Sequence, residues 1–177
     1  MHVCRNMREA DRAEIFALRW SDNPMDLAED TMNVRGPKWV AHAGGIGPVA
    51  AYGAAPMWPG VWSLWLYGTP HFQQIGGRLT RHIQRVMIPA LAIAGAHRAE
   101  ARSLSTHLEA HAWLDRLGGR REAVLAGYGK NGEDFVVYSW RVESKDVSIR
   151  GQRRIKRSRK SGGTTAPESH QSGHGPD

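Results

Sequence analysis

The sequence predicts an α+β domain over residues 1–144, a mixed central sheet with helices on both faces, followed by a basic tail over residues 145–177. Three observations predict it. Apolar patterning is dense up to residue 144 and stops there. Three apolar runs, KWVAHA, PVAAYGAAPM and VWSLWLYG, are separated only by GGIG and WPG, which reads as an antiparallel meander. A strand, long helix, strand segment then implies a parallel pair joined by a right-handed crossover. The predicted order is β-α-α-β-β-β-α-β-α-β-β.

Each element has its own signal. HVCRNM at the start reads as a short strand. Residues 9–20 place Ile15 and Leu18 at helical spacing, with Ala13 and Phe16 widening the apolar side. Residues 24–32 form a shorter helix, with Asp22 and Asn23 as candidate caps. In the last strand of the meander, Trp62, Leu64 and Leu66 share one face and Val61, Ser63, Trp65 and Tyr67 the other. Both faces carry bulk, which fits a central strand. GGIG, residues 44–47, has no helix after it and reads as a hairpin turn rather than a phosphate loop.

The long helix, residues 79–94, contains Pro89, which is expected to kink it or end a hydrogen-bonded section. RAEARSL alternates like a strand, and HLEAHAWLDRLGG is a helix closed by glycine. EAVLAGY and DFVVYSW are two strands around KNGE, whose Asn131-Gly132 pair favours a tight hairpin.

Composition narrows the class. The chain has 177 residues, 41% of them hydrophobic, enough for one domain with a core. Cys4 is the single cysteine, so no internal disulfide forms and a reducing compartment is expected. MHVCRNMREADR carries charge from its fifth residue and lacks the apolar run of a secretory signal, and no stretch has the length of a membrane span. The net charge of +7 is not spread evenly. Residues 1–144 hold 16 Lys/Arg against 14 Asp/Glu, and residues 145–177 hold 8 against 3. The tail is thus too poor in apolar residues to offset the entropy of ordering and is expected to be disordered when the protein is alone. Arg150, Arg153, Arg154, Lys156, Arg157, Arg159 and Lys160 give it a polyanion-binding segment, suited to phosphates or to an acidic protein surface. No aromatic is interleaved, so stacking on single strands is not indicated.

FQQIGGRLTRHI, residues 72–83, follows the meander and opens the long helix. Its place, with the element order, resembles the GNAT superfamily of N-acetyltransferases. In that family a turn of the form R/Q-x-x-G-x-G/A holds the pyrophosphate of acetyl-CoA on backbone N–H groups at a helix N-terminus. Gln73 stands at its first position and Gly76 at its middle glycine, while Arg78 takes the place of the last Gly or Ala. HLEAHAWLDRLG keeps the spacing of the family's N-x-x-A-x-x-x-Y-x-x-x-G, with His107 at the Asn, Ala110 at the Ala, Leu114 at the Tyr and Gly118 at the Gly. In many relatives that tyrosine is the general acid for the departing thiolate, and leucine has no proton to give. Over residues 61–140 the aromatic strand, altered turn and terminal hairpin are similar to GNAT-like proteins of short-tailed bacteriophages, some of them internal virion proteins.

The resemblance implies a phage virion-associated or assembly protein with a degenerate acetyl-CoA site, weakly catalytic or inactive. It would sit in the virion or host cytoplasm, off the membrane, with other virion proteins, DNA or an acidic surface as partners. The competing reading is an active acetyl-CoA-dependent N-acetyltransferase. On either, Gln73, Gln74, Gly76, Gly77 and Arg78 are the candidate cofactor residues. His71, Glu100 and His107 are the candidate bases for an amine, although a structural role is the better expectation for each taken alone. His107 and His111, four apart, share a helix face as metal ligands do, but without a third ligand no metal is expected. His107 also suits the helix cap where the family has Asn.

Overall fold

The computed structural model describes residues 1–142, so the basic segment from Arg150 to Lys160 lies outside the described residues. Three helices lead: α1 (His2–Arg5), α2 (Glu9–Ala17) and α3 (Pro24–Asn33). The meander follows as β1 (Lys38–Ala43), β2 (Gly47–Trp58) and β3 (Val61–Gly68). A 3₁₀ turn (Pro70–Ile75) then runs into α4 (Gly76–His82), a π turn (Ile83–Met87) and α5 (Ile88–Ile93). The chain ends with β4 (Arg98–Leu104), α6 (Leu108–Arg116), β5 (Arg120–Leu125) and β6 (Phe135–Arg141).

The six strands make one mixed sheet in the order β1-β2-β3-β4-β6-β5. Only β3 and β4 are parallel, as the crossover segment predicts. Both faces are covered, because alternate residues of β3 point to opposite sides. Tyr67 and Trp65 pack with Val3, Phe16 and Leu27 on the side of α1–α3. Trp62, Leu64 and Leu66 pack on the other side with Leu79, Ile83 and Leu91.

The first element departs from the expectation. HVCRNM is not a strand, and α1 is a single helical turn within it. Val3, Cys4 and Met7 are buried together against Tyr67, a spacing that one helix face supplies and an alternating strand does not. Four residues are too few for the helical period to declare itself in sequence. The long helix is interrupted near Pro89. Pro89 has no N–H and its ring crowds the carbonyl four residues back. One turn earlier the backbone loosens to the π pattern, with the Ile88 N–H bonded to the Ile83 carbonyl. A hydrogen-bonded section thus ends at the π turn, and Pro89 sits in the first turn of α5, as the proline predicts. KNGE sits in a wider connection than a two-residue hairpin, closed by Gly129 N–H to Glu133 O at 2.8 Å.

Two glycines carry backbone conformations the fold requires. Gly118, at φ +80°, closes α6 in a Schellman arrangement, with Gly119 N–H bonded to Leu114 O and Gly118 N–H to Asp115 O. Gly36, at φ +113°, turns the chain from α3 into β1 close against β2, and a Cβ there would run into the Ala54 carbonyl oxygen and touch the Trp62 ring. Gly36→Ala is expected to cost about 3 kcal/mol, combining backbone strain with overpacking. Urea denaturation of the two proteins measures it, and a loss under about 1 kcal/mol would show that this corner gives way.

Candidate functional site

The pairing of β3 with β4 is short. Val61, Trp62 and Ser63 pair with Arg98, Ala99 and Glu100, and beyond them the strands part. Alternate residues along Leu64–Leu66 therefore direct backbone N–H and C=O groups away from β2 and into the gap. A cavity of about 600 Å³ opens at this split and reaches both faces of the sheet. On the α4–α6 side its walls are apolar: Ile83, Met87, Leu91, Ala110, Leu114 and Leu117. On the α2 side they are polar, with Arg8, Asp11, Glu14, Arg102, Ser103 and His107.

The polar side is built by tying α2 to the ends of two strands. Arg8 N–H donates to Gly68 O at 2.9 Å, and Gly68 N–H returns a bond to Asp11 Oδ2 at 2.6 Å. Asp11 is buried, its Oδ1 2.8 Å from Arg8 Nε as an ion pair. Burial raises the Asp11 pKa, against the opposing pull of Arg8 and of the Gly68 N–H. Glu14 reaches the end of β4, where one oxygen, Oε2, accepts from Ser103 Oγ at 2.7 Å, Leu104 N–H at 2.8 Å and His107 Nδ1 at 2.9 Å. With Nδ1 donating, His107 Nε2 carries the lone pair. It has no hydrogen-bond partner among the described residues and faces Asp11 Oδ1 at 3.8 Å. Two carboxylates, Glu14 at Nδ1 and Asp11 beyond Nε2, thus flank one imidazole.

Of the candidate bases, His107 is the one that lines the cavity. Its side chain makes no cap bond to α6, because Glu14 holds it. Glu100 is held between two arginines, with Oε1 2.6 Å from Arg98 Nε and Oε2 3.5 Å from Arg102 Nη2. His71 is exposed beside the 3₁₀ turn, its N–H bonded to Thr69 Oγ1 at 3.3 Å. His111 points elsewhere than His107, its ring 5.6 Å from Tyr138, and burial, then Arg121, lowers its pKa. Among the described residues no group of three His, Cys, Asp or Glu is placed to hold a metal ion.

The candidate cofactor residues form one continuous helical run. Gln73 lines the cavity, whereas Gln74, Gly77 and Arg78 are exposed away from it. Gly76 is right-handed helical, φ −48° and ψ −48°, so the turn is not the left-handed nest of a phosphate cradle. A Cβ at Gly76 or Gly77 would meet no atom within 4 Å, so neither glycine is demanded by packing. Arg78 at the last position does not fill the cavity. Across the gap between the helices, Trp113 Nε1 of α6 donates to Thr80 Oγ1 of α4 at 3.0 Å, and Thr80 Oγ1 donates in turn to Gly76 O at 2.8 Å. The Trp113 ring also stands edge-on to Phe72, centroids 6.0 Å apart.

Sequence reading missed Arg8, Asp11, Glu14 and Ser103. The signal was present, since positions 8, 11 and 14 recur at a helical three-residue step. Charged residues at that step ordinarily mark a solvated face.

Solved structures superpose on this arrangement of sheet and helices. The chain has the fold of the GNAT acetyltransferases. The ribosomal-protein-S18-alanine N-acetyltransferase of Escherichia coli superposes with a TM-score of 0.58 at 16% identity, over 80% of this chain and 84% of its own. A Bacillus subtilis acetyltransferase in complex with CoA gives 0.54 at 15%, over 67% and 84%. A spermidine N-acetyltransferase of Vibrio cholerae gives 0.55 at 12%, over 68% and 76%. No protein-family model matches the chain, and no curated protein matches it. Among the described residues no helix is long and apolar enough to cross a membrane.

Proposed function

We propose that the protein is an N-acetyltransferase that takes its acyl group from acetyl-CoA. One observation carries the reading: the cavity at the split of β3 and β4 is apolar on one side of the sheet and holds a carboxylate–histidine cluster on the other. The apolar side suits the pantetheine arm, whose amides find the unpaired backbone edge of β3. The Gln73 end of the helical run is where the diphosphate would lie, with Arg78 available as a counter-charge. The acceptor amine enters from the α2 side.

His107 is the base in this reading. Glu14 fixes the ring with Nδ1–H toward itself, which leaves Nε2 to take the proton of the attacking amine. A proton arriving there lies beside Asp11 Oδ1. Backbone N–H groups on the free edge of β3 polarise the thioester carbonyl. Titration calorimetry of the full chain with acetyl-CoA tests the proposal, together with thiol release in the presence of small amines. Micromolar binding with amine-dependent release is expected. No binding at millimolar acetyl-CoA would reject it.

A second reading keeps the scaffold without turnover: a phage virion-associated protein whose basic segment, Arg150 to Lys160, meets DNA or an acidic neighbour. The helical Gly76 turn, the leucine at position 114 and the Trp113–Thr80 contact favour it. Acetyl-CoA binding without thiol release from any amine is its signature.

A further inference from the structure

Aminolysis of a thioester expels a thiolate, which needs a proton in a site that excludes bulk water. Leu114, on the apolar side of the cavity, has none to give, and the Trp113 N–H, bonded to Thr80 at 3.0 Å, is far too weak an acid to protonate a thiolate. Tyr52 of β2 lines the same cavity, and its phenol is 3.0 Å from His82 Nδ1 on α4. The ring is held on two sides. Trp39 stacks on it at 5.7 Å, and His82 stands edge-on at 5.7 Å. Tyr52 is 5% exposed while His82 is half-buried, so the pair links the cavity to solvent through the imidazole. Burial raises the Tyr52 pKa, which keeps the phenol protonated at neutral pH.

Resting on the acyltransferase reading, we propose that Tyr52 is the proton donor to the departing thiolate, resupplied by His82. The amine nitrogen forms its bond to the carbonyl carbon as His107 takes the amine proton. The C–S bond breaks with its electron pair on sulfur, and the Tyr52 Oη–H proton passes to that sulfur. The phenolate takes the proton of His82 Nδ1–H as His82 Nε2 takes one from water at its exposed edge. At rest the 3.0 Å contact has His82 Nδ1–H donating to the phenol oxygen, which leaves the Tyr52 O–H free for the sulfur. His107 and Tyr52 thus divide base and acid between separate walls of one cavity.

The test is Tyr52→Phe in the full chain, which keeps the ring between Trp39 and His82 and removes the proton. Acetyl-CoA affinity by calorimetry is expected to stay within about twofold, while thiol release falls about 100-fold. With an acetyl ester of an acidic aryl thiol, which leaves without a proton, the loss shrinks to less than about fivefold. His82→Gln is expected to slow acetyl-CoA turnover about tenfold and to move the ultraviolet titration of Tyr52, read as wild type minus Tyr52→Phe. Equal losses with both thioesters, or no loss with either, overturn the donor role while the acyltransferase reading stands. A wild-type chain that binds acetyl-CoA and releases no thiol to any amine ends that reading, and the donor role with it.

Discussion

Asp11→Ala is expected to lower the unfolding free energy by about 3–5 kcal/mol, the usual consequence of removing one partner of a buried ion pair. The carboxylate is 2% exposed and closes two separate debts of hydrogen bonding. Its loss leaves the Arg8 guanidinium with only the exposed Glu109 carboxylate at 3.4 Å and the Gly68 N–H without an acceptor, at the joint between α2 and β3. Asp11→Asn keeps an acceptor for Gly68 and is expected to lose less. Burial of Asp11 also makes stability depend on pH, against the opposing pull of Arg8. The Asp11 pKa is raised in the fold, so the native state binds this proton more tightly than the unfolded chain does. Its contribution is therefore full below the ordinary aspartate range and declines as pH rises through the raised value. Urea denaturation followed by circular dichroism between pH 4 and pH 7 measures both effects. An alanine variant within about 1 kcal/mol of wild type would mean that water takes over the role of the carboxylate.

His107→Asn is expected to slow amine-dependent thiol release by about 10²–10³-fold while leaving acetyl-CoA affinity unchanged. Asparagine can still present an N–H to Glu14 from the position of Nδ1, so the triple contact on Glu14 Oε2 survives. It has no ring nitrogen to accept a proton. Turnover at the wild-type rate would remove His107 from the chemistry, and loss of affinity with loss of turnover would assign it to cavity shape instead. Glu14→Gln separates orientation from charge. The amide oxygen can still accept from Ser103, and turnover is expected to fall about tenfold.

Much of the fold was legible because its signals are local. The meander is written in three apolar runs and two glycine turns, and the two-sided burial of β3 in the bulk on both its faces. The Gly118 closure of α6 likewise needs only its own neighbours. α1 was misread because a four-residue helix is shorter than the period that would reveal it. The site was less legible than the fold. His107 was singled out, but nothing near it in sequence indicates Glu14, which is 93 positions away. Arg8, Asp11 and Glu14 look like an ordinary solvated stripe until β3 and β4 part and turn that stripe inward. The Tyr52–His82 pair is hidden for the same reason, since it joins a strand to a helix 30 positions later. Gly76 shows the converse case. Its residue type suggested a phosphate nest, and the 3₁₀ turn before it makes it one more helical residue.

Trp113 closes the space between α4 and α6 with a side chain, not with a loop. On the acyltransferase reading, a pantetheine arm laid from the Gly76 end toward the split would pass the contact between this indole and Thr80. Opening that contact forfeits one hydrogen bond, about 0.5–1.5 kcal/mol net, and one edge-on ring contact. No backbone has to be remade. The empty and occupied forms of this protein would then be nearly superimposable in their main chains and would differ in the rotamer of a single indole, so crystals of one form should accept the ligand of the other by soaking.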